Sequence, residues 1–324
     1  MTERTVAQAL NAALDEALES PDVVLLGEDV GVTGGVFRVS DGLLEKHGPE
    51  RVIDTPVAES GIIGAAFGMA IAGLRPIAEI QFMGFSYPAV DQIINHVGRI
   101  RNRSRHRFTA PMVVRIPYGG GIGAAEHHSE SAEAMFVHTP GVKVVVPSNP
   151  YDAKGLLLAA IDDPAPVVVL EPIRIYRSIK GEVPDGHYTV PIGLAAMEHE
   201  GRDVTLIAYG AMMKEARAAA AQLEDEGVSV ELIDLRSLVP FDTEMMVDSV
   251  RKTGRAVVIQ EAHRSAGMAS EVAAVLQEHA LYHLNAPIER ITGWDVVIPL
   301  RRAEKHYLPT VEHIVAAAHR TLEA

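Results

Sequence analysis

Short β-rich apolar runs alternate with helix-spaced apolar patterns along almost the whole chain. The runs are V-V-L-L-G-E (23–28), R-P-I-A-E-I-Q-F (75–82), P-M-V-V-R-I-P-Y (111–118), V-K-V-V-V-P (142–147) and P-V-V-V-L-E-P (166–172). Val6, Leu10, Ala13, Leu14 and Leu18 mark an amphipathic first helix, and further helices fit at 60–73, 88–100 and 150–161. Strands separated by helix-length patterns specify an α/β protein with a mostly parallel sheet. The segment Gly181 to Gly193 is dense in Gly and Pro and reads as a linker. A second alternation follows it. Strands fit at 203–209, 228–235, 255–261 and 288–292, with helices at 212–226, 242–252, 267–279 and 310–322. The expectation is two open, mostly parallel-sheet domains, 1–190 and 191–324.

Composition narrows the function classes. The net charge of −14 is spread over both halves, which argues against nucleic-acid binding. Arg99, Arg101, Arg103, Arg105 and Arg107 form a basic run without interleaved aromatics, the pattern of a solvated or subunit-contacting segment. The chain has no cysteine, which excludes disulfides and thiolate metal sites, and none of its 14 histidines has zinc-site spacing. Its longest apolar run, Gly61 to Leu74, is shorter than the ~20 residues that span a bilayer, and its start lacks a signal-peptide pattern. The expected setting is cytoplasmic, with no membrane partner.

Several residues carry candidate chemistry. Glu59 opens the glycine-rich helical stretch E-S-G-I-I-G-A-A-F-G-M-A-I-A, in which Gly64, Gly68 and Ala72 share a face at four-residue spacing. Glycine in a helix costs ~1 kcal/mol relative to alanine, so this face suits close approach of another backbone. Glu59 either complements the helix dipole or, desolvated at a tight seam, gains a raised pKa and serves as a proton donor. Glu28, at the end of the first strand, stands where open α/β sheets present ligand-facing groups, or it caps a turn. Phe82, Phe85 and Tyr87 cluster in a chain with 5% aromatics, for core packing or for stacking on a heteroaromatic ring. His128 follows His127 in a loop, where an imidazole is either incidental or suited to proton transfer and to pairing with a carboxylate substrate. G-G-G-I-G-A (119–124) fits the dinucleotide fingerprint only weakly, since no acidic residue for the ribose follows about 20 positions on.

Taken together, G-E-D-V, R-V-I-D-T-P-V-A-E, the glycine helix, A-E-I-Q-F, D-Q-I-I-N, H-H-S, P-G-V-K-V-V-V-P, D-A-K-G-L-L-L and V-I-D-L-R-S-L-V-P-F-D resemble the beta subunit of thiamine-diphosphate-dependent 2-oxo acid dehydrogenases. The resemblance covers essentially the full chain. It implies a pyrimidine-binding domain followed by a transketolase-like C-terminal domain. G-G-V-F-R, A-E-I-Q-F and L-E-P-I-R-I-Y-R are more similar to the branched-chain type than to the pyruvate type, and pyruvate or acetoin dehydrogenase is the alternative. A non-catalytic assembly subunit is the remote one.

The resemblance also implies roles. Glu59 would hydrogen-bond N1′ of the cofactor's aminopyrimidine, and Phe85 would pack on that ring. Glu28, Val57, Ala58, Gln81 and Tyr87 would line the pocket. Phe82 would stand on the acyl side, and His128 would meet the substrate carboxylate and assist transfer to lipoyl. No G-D-G is present, so Mg²⁺ and diphosphate would be held by an alpha subunit, in a heterotetramer of two alpha and two beta chains that docks on a lipoyl acyltransferase core. The face of Gly64 and Gly68 would then lie at a close subunit seam. A K⁺ site is implied near Ile161 and Asp163, with Ala165 where relatives carry asparagine.

Overall fold

The computed structural model describes residues 1–324. Its strands are β1 (Thr2–Thr5), β2 (Val23–Gly27), β3 (Val52–Asp54), β4 (Arg75–Glu79), β5 (Val113–Tyr118), β6 (Lys143–Val145), β7 (Val167–Pro172), β8 (Lys180–Val183), β9 (Ala196–His199), β10 (Val204–Ala208), β11 (Val230–Asp234), β12 (Ser237–Val239), β13 (Ala256–His263) and β14 (Glu289–Gly293). They form a seven-stranded sheet in the order β12-β6-β7-β5-β4-β2-β3, a five-stranded sheet in the order β14-β13-β10-β11-β9, and a β1-β8 ribbon. Every pairing in the two sheets is parallel except the edge pairs β12–β6 and β11–β9. The α/β class with two mostly parallel sheets is as the alternation requires.

Helices cover both faces of each sheet, which is why the strands β2, β5, β7, β10 and β11 are buried throughout. On one face of the larger sheet the helix Val6–Ala17 packs against Pro150–Asp162, burying Leu10, Leu14, Leu156 and Leu157 at about 1.5–3 kcal/mol each. Its start is fixed by a capping box in which the Thr5 hydroxyl accepts from Gln8 N–H and Gln8 Oε1 accepts from Thr5 N–H. The opposite face carries the helix Glu59–Ile71. Its buried Ile62, Ile63, Ala66 and Ala70 join one continuous apolar core with Ile207, Ile233 and Val258 of the second sheet and Met246 of the helix Thr243–Thr253. Gly73, at φ +101°, ends that helix in the left-handed conformation that glycine adopts freely.

Three expectations change. The helix expected at 88–100 is a 3₁₀ turn (Met83–Ala89), a π-helical turn (Gln92–Val97) and a short helix (Ile100–Arg103). Pro88 removes a helical N–H donor, and Gly98 lies so close to the Pro140 carbonyl that a Cβ would sit 3.0 Å from it. The linker 181–193 begins inside a strand, because Lys180–Val183 pairs with the N-terminal Thr2–Thr5. β12 crosses from the second half of the chain to complete the edge of the first sheet beside β6.

Candidate active site

Four adjacent strands, β5-β4-β2-β3, deliver the candidate residues from their carboxyl ends, the edge where open α/β sheets bind ligands. Gly27 ends β2 so close to β4 that a Cβ there would sit 2.8 Å from the Glu79 carbonyl oxygen, and Glu28 follows it directly. Asp54, ending β3, pins the loop beyond β2 by accepting from Gly31 N–H at 2.6 Å and Val32 N–H at 3.0 Å. The backbone then turns through Val57 and Ala58 into the helix whose first residue is Glu59.

Glu28 and Glu59 form a carboxylate pair. Glu28 is 6% exposed, lies near the Ala58 N–H and keeps Oε1 without a hydrogen-bond partner. Burial raises its pKa above the ordinary carboxyl value and the Glu59 charge adds to that, against the Ala58 N–H. Glu59 is half-buried, while Ala58 is exposed and Val57 presents its side chain to solvent. The desolvation expected at Glu59 is therefore incomplete in the single chain.

Beside the pair stands an aromatic wall. Phe82 and Phe85, on the turn after β4, meet edge to face with centroids 5.6 Å apart. The His128 ring packs on both, 4.5 Å from Phe82 and 5.1 Å from Phe85. Phe37 backs Phe82 at 5.3 Å and Tyr176 at 5.2 Å. Buried His128 Nδ1 lacks a partner, while His127 faces solvent. Gly84 lets the two loops touch, because a Cβ there would collide with the His127 carbonyl oxygen. Partial burial, and then the neighbouring Glu130 carboxylate, raise the pKa of the Tyr87 phenol. Gln81 reaches back to Asp29 at 3.1 Å.

Under this wall lies a fully buried ion cluster. Arg115 of β5 donates to Glu79 of β4 at 2.6 Å and to both oxygens of Glu171 of β7 at 2.7 and 2.8 Å. Tyr176 donates to Glu171 at 2.6 Å. Sequence reasoning missed this cluster and missed Phe37. The one signal was a charged residue inside each of three apolar strand runs.

Ile161 and Asp163 lie elsewhere, at the opposite edge of the sheet. The Ile161 carbonyl accepts from Arg75 Nη1 at 2.6 Å; Asp163 accepts from Lys143 Nζ at 2.5 Å and Ala165 N–H at 2.8 Å. The chain's own cations already bond these donors, so as arranged they do not fit a K⁺ ion. The weak dinucleotide fingerprint fails likewise, because the Gly120, Gly121 and Gly123 N–H groups bond carboxylates of this chain. Val57, Ala58 and Tyr87 are exposed and Glu59 is half-buried, so beside the buried Glu28 and Phe82 the site opens to solvent on its Val57–Ala58 side.

The two sheets and this edge define a transketolase-like α/β protein. Residues 2–178 match the model of the transketolase pyrimidine-binding domain and residues 193–314 that of the transketolase C-terminal domain. The chain is 51% identical over 321 residues to the pyruvate dehydrogenase E1 component subunit beta of Acholeplasma laidlawii, covering 99% of this chain and 98% of that one. It is 49% identical to its counterpart in Staphylococcus epidermidis, covering both chains completely. Among solved structures, a split gene transketolase described as an inactive beta4 tetramer superimposes with a TM-score of 0.80 at 28% identity, covering 98% of each chain. The chain belongs to the thiamine-diphosphate-dependent transketolase-like family and, within it, to the beta subunits of 2-oxo acid dehydrogenases.

Proposed function

We propose that this chain is the beta subunit of a pyruvate dehydrogenase component, working with an alpha subunit to decarboxylate pyruvate and pass the acyl group to a lipoyl domain. Full-length relatives at about half identity carry that name. They favour pyruvate over the branched-chain acids suggested by G-G-V-F-R and L-E-P-I-R-I-Y-R, so the branched-chain reading becomes the alternative.

The observation that carries the reading is the Glu28–Glu59 pair beside the Phe82–Phe85–His128 wall, with buried Glu28 Oε1 and His128 Nδ1 left free of partners. These residues fit the pyrimidine half of thiamine diphosphate. When bound, that cofactor supplies carbanion stabilisation at its own thiazolium ring. Glu59 would hold a proton on its carboxylate opposite pyrimidine N1′, and Phe85 would present its ring to the pyrimidine. Glu28, with Val57, Ala58, Gln81 and Tyr87, would shape the surroundings. Phe82 would bound the acyl side, and His128 would orient the substrate carboxylate.

No G-D-G occurs, so diphosphate and Mg²⁺ are assigned to the alpha subunit. The open face supports the same division. A Cβ added at Gly68 would meet nothing within 4 Å, and Gly61, Ala65 and Ala72 are likewise exposed, leaving a smooth helix face for a neighbouring chain. A second beta chain and a lipoyl acyltransferase core complete the proposed assembly.

The test compares pyruvate with 3-methyl-2-oxobutanoate in dye reduction by the complex of this chain with its alpha partner. Pyruvate should give at least a tenfold higher kcat/KM, the scale on which extra methylenes are discriminated, about 1–3 kcal/mol each. Preference for the branched acid would reinstate the alternative.

A further inference from the structure

The loop that carries His128 is strapped from the far side of the molecule. Gly119 N–H donates to the Glu130 carbonyl at 2.9 Å and closes the base of the loop. Gly119, Gly121 and Gly123 all have positive φ, at +90°, +89° and +69°. This alternation turns successive backbone N–H groups toward one side, the arrangement that makes an anion-binding concavity. Here the anions are side chains of the C-terminal half. Glu304, on the short helix Arg301–Tyr307, accepts from Gly121 N–H at 2.6 Å with one oxygen and from Gly123 N–H at 3.0 Å with the other. Glu261, on β13, accepts from Gly120 N–H and from the Ser131 hydroxyl at 3.3 Å, and it also pairs with Arg174.

The two carboxylates differ in one respect. Glu261 has a guanidinium partner, whereas Glu304 is 6% exposed and forms no ion pair with any Lys, Arg or His. The negative charge of Glu304 is met by the two glycine N–H groups. A buried carboxylate depends on such bonds, and both bonds are partly buried, so the glycine turn in turn gains its fixed place from the carboxylate. From Gly123 the chain runs directly into Glu126–His128, whose far side rests on Gly84 and the Phe82–Phe85 wall.

We propose that Glu304 is a positioning residue: its carboxylate fills the glycine nest at 121–123 and so sets the place of His128 against the aromatic wall. The catalytic consequence rests on the pyruvate dehydrogenase reading above, in which His128 meets substrate. The placement of the loop does not.

The test is Glu304→Gln, which keeps side-chain shape but removes the charge and one acceptor, with Gly123→Ala as a second variant acting from the loop side. A Cβ at Gly123 would meet Arg301 at 3.0 Å in a conformation that L residues avoid. Amide hydrogen exchange of the alpha–beta complex should show residues 119–131 exchanging at least tenfold faster in both variants. The amides of β10 and of the helix Glu59–Ile71 should keep wild-type protection. Pyruvate turnover should fall about tenfold in kcat with thiamine diphosphate affinity retained. Unchanged exchange at 119–131 would overturn the strap. Faster exchange with wild-type kcat would overturn the link to His128. A wild-type complex inactive on every 2-oxo acid would instead sink the functional reading, leaving hydrogen exchange to decide the strap.

Discussion

Glu28 follows strand β2 and Glu59 opens the helix Glu59–Ile71, and the fold brings the two carboxylates close enough for the Glu59 charge to act on Glu28. Burial is the first cause of the raised Glu28 pKa and the neighbouring Glu59 charge the second. Because the folded state binds this proton more tightly than the unfolded chain, the stabilisation is complete below the ordinary carboxyl range. It is lost as pH rises through the raised value. Glu28→Gln, which keeps the side chain's shape without its charge, should therefore match wild type in thermal unfolding near pH 4 and melt higher near pH 8. A variant that melts lower at both pH values would show that Glu28 is not held against its ionisation. At this scale the sequence was informative where a residue sits inside a local pattern. Glu59 was legible from its glycine helix, and Phe82, Phe85 and His128 from their short segments. Phe37 and Glu304 were not, because each acts on residues far away in the chain, and nothing local distinguishes a loop phenylalanine or a helical glutamate.

Arg115, Glu79 and Glu171 show the same limit one level up, between elements. Each interrupts a run of apolar strand residues, and only the order β4-β5-β7 reveals that the three charges meet. Removing the guanidinium would leave two carboxylates buried without a cation, a defect of about 3–5 kcal/mol. Arg115→Met should lower the denaturant midpoint accordingly at pH 7, with a smaller loss at acidic pH, where the carboxyls protonate. An unchanged midpoint at pH 7 would mean that the cluster does not hold these strands. Elements with strong internal periodicity, such as Val6–Ala17, Met212–Asp225 and Val311–Glu323, were readable because their apolar faces are written locally. The stretch 88–100 was not, because Pro88 and the contact of Gly98 with Pro140 break a helix that its apolar spacing suggests. β12 is three residues long and pairs across the molecule with β6, so no local pattern marks it.

For the whole molecule, the fold places every candidate catalytic and cofactor-binding group on one edge of one sheet and leaves that edge open. No helix is long and apolar enough to cross a membrane. What faces outward beside the edge is the smooth side of the Glu59–Ile71 helix. A Cβ at Gly68 would meet nothing within 4 Å, and glycine costs a helix ~1 kcal/mol relative to alanine. Gly68→Leu should leave the isolated chain as stable as wild type or slightly more so, yet block assembly with the alpha subunit. Sedimentation of the mixed subunits reads this directly, and normal assembly of the variant would remove that helix from the interface.

The role of Glu59 is tested most directly by 2-oxo acid turnover of the assembled complex carrying Glu59→Gln in this chain, measured with saturating thiamine diphosphate. Proton transfer by a positioned carboxyl contributes roughly 10²–10⁴-fold. Turnover should fall at least a hundredfold in kcat, with complex formation intact by sedimentation. Turnover within a few-fold of wild type would contradict that role, and would leave this chain as a scaffold for chemistry performed elsewhere in the complex.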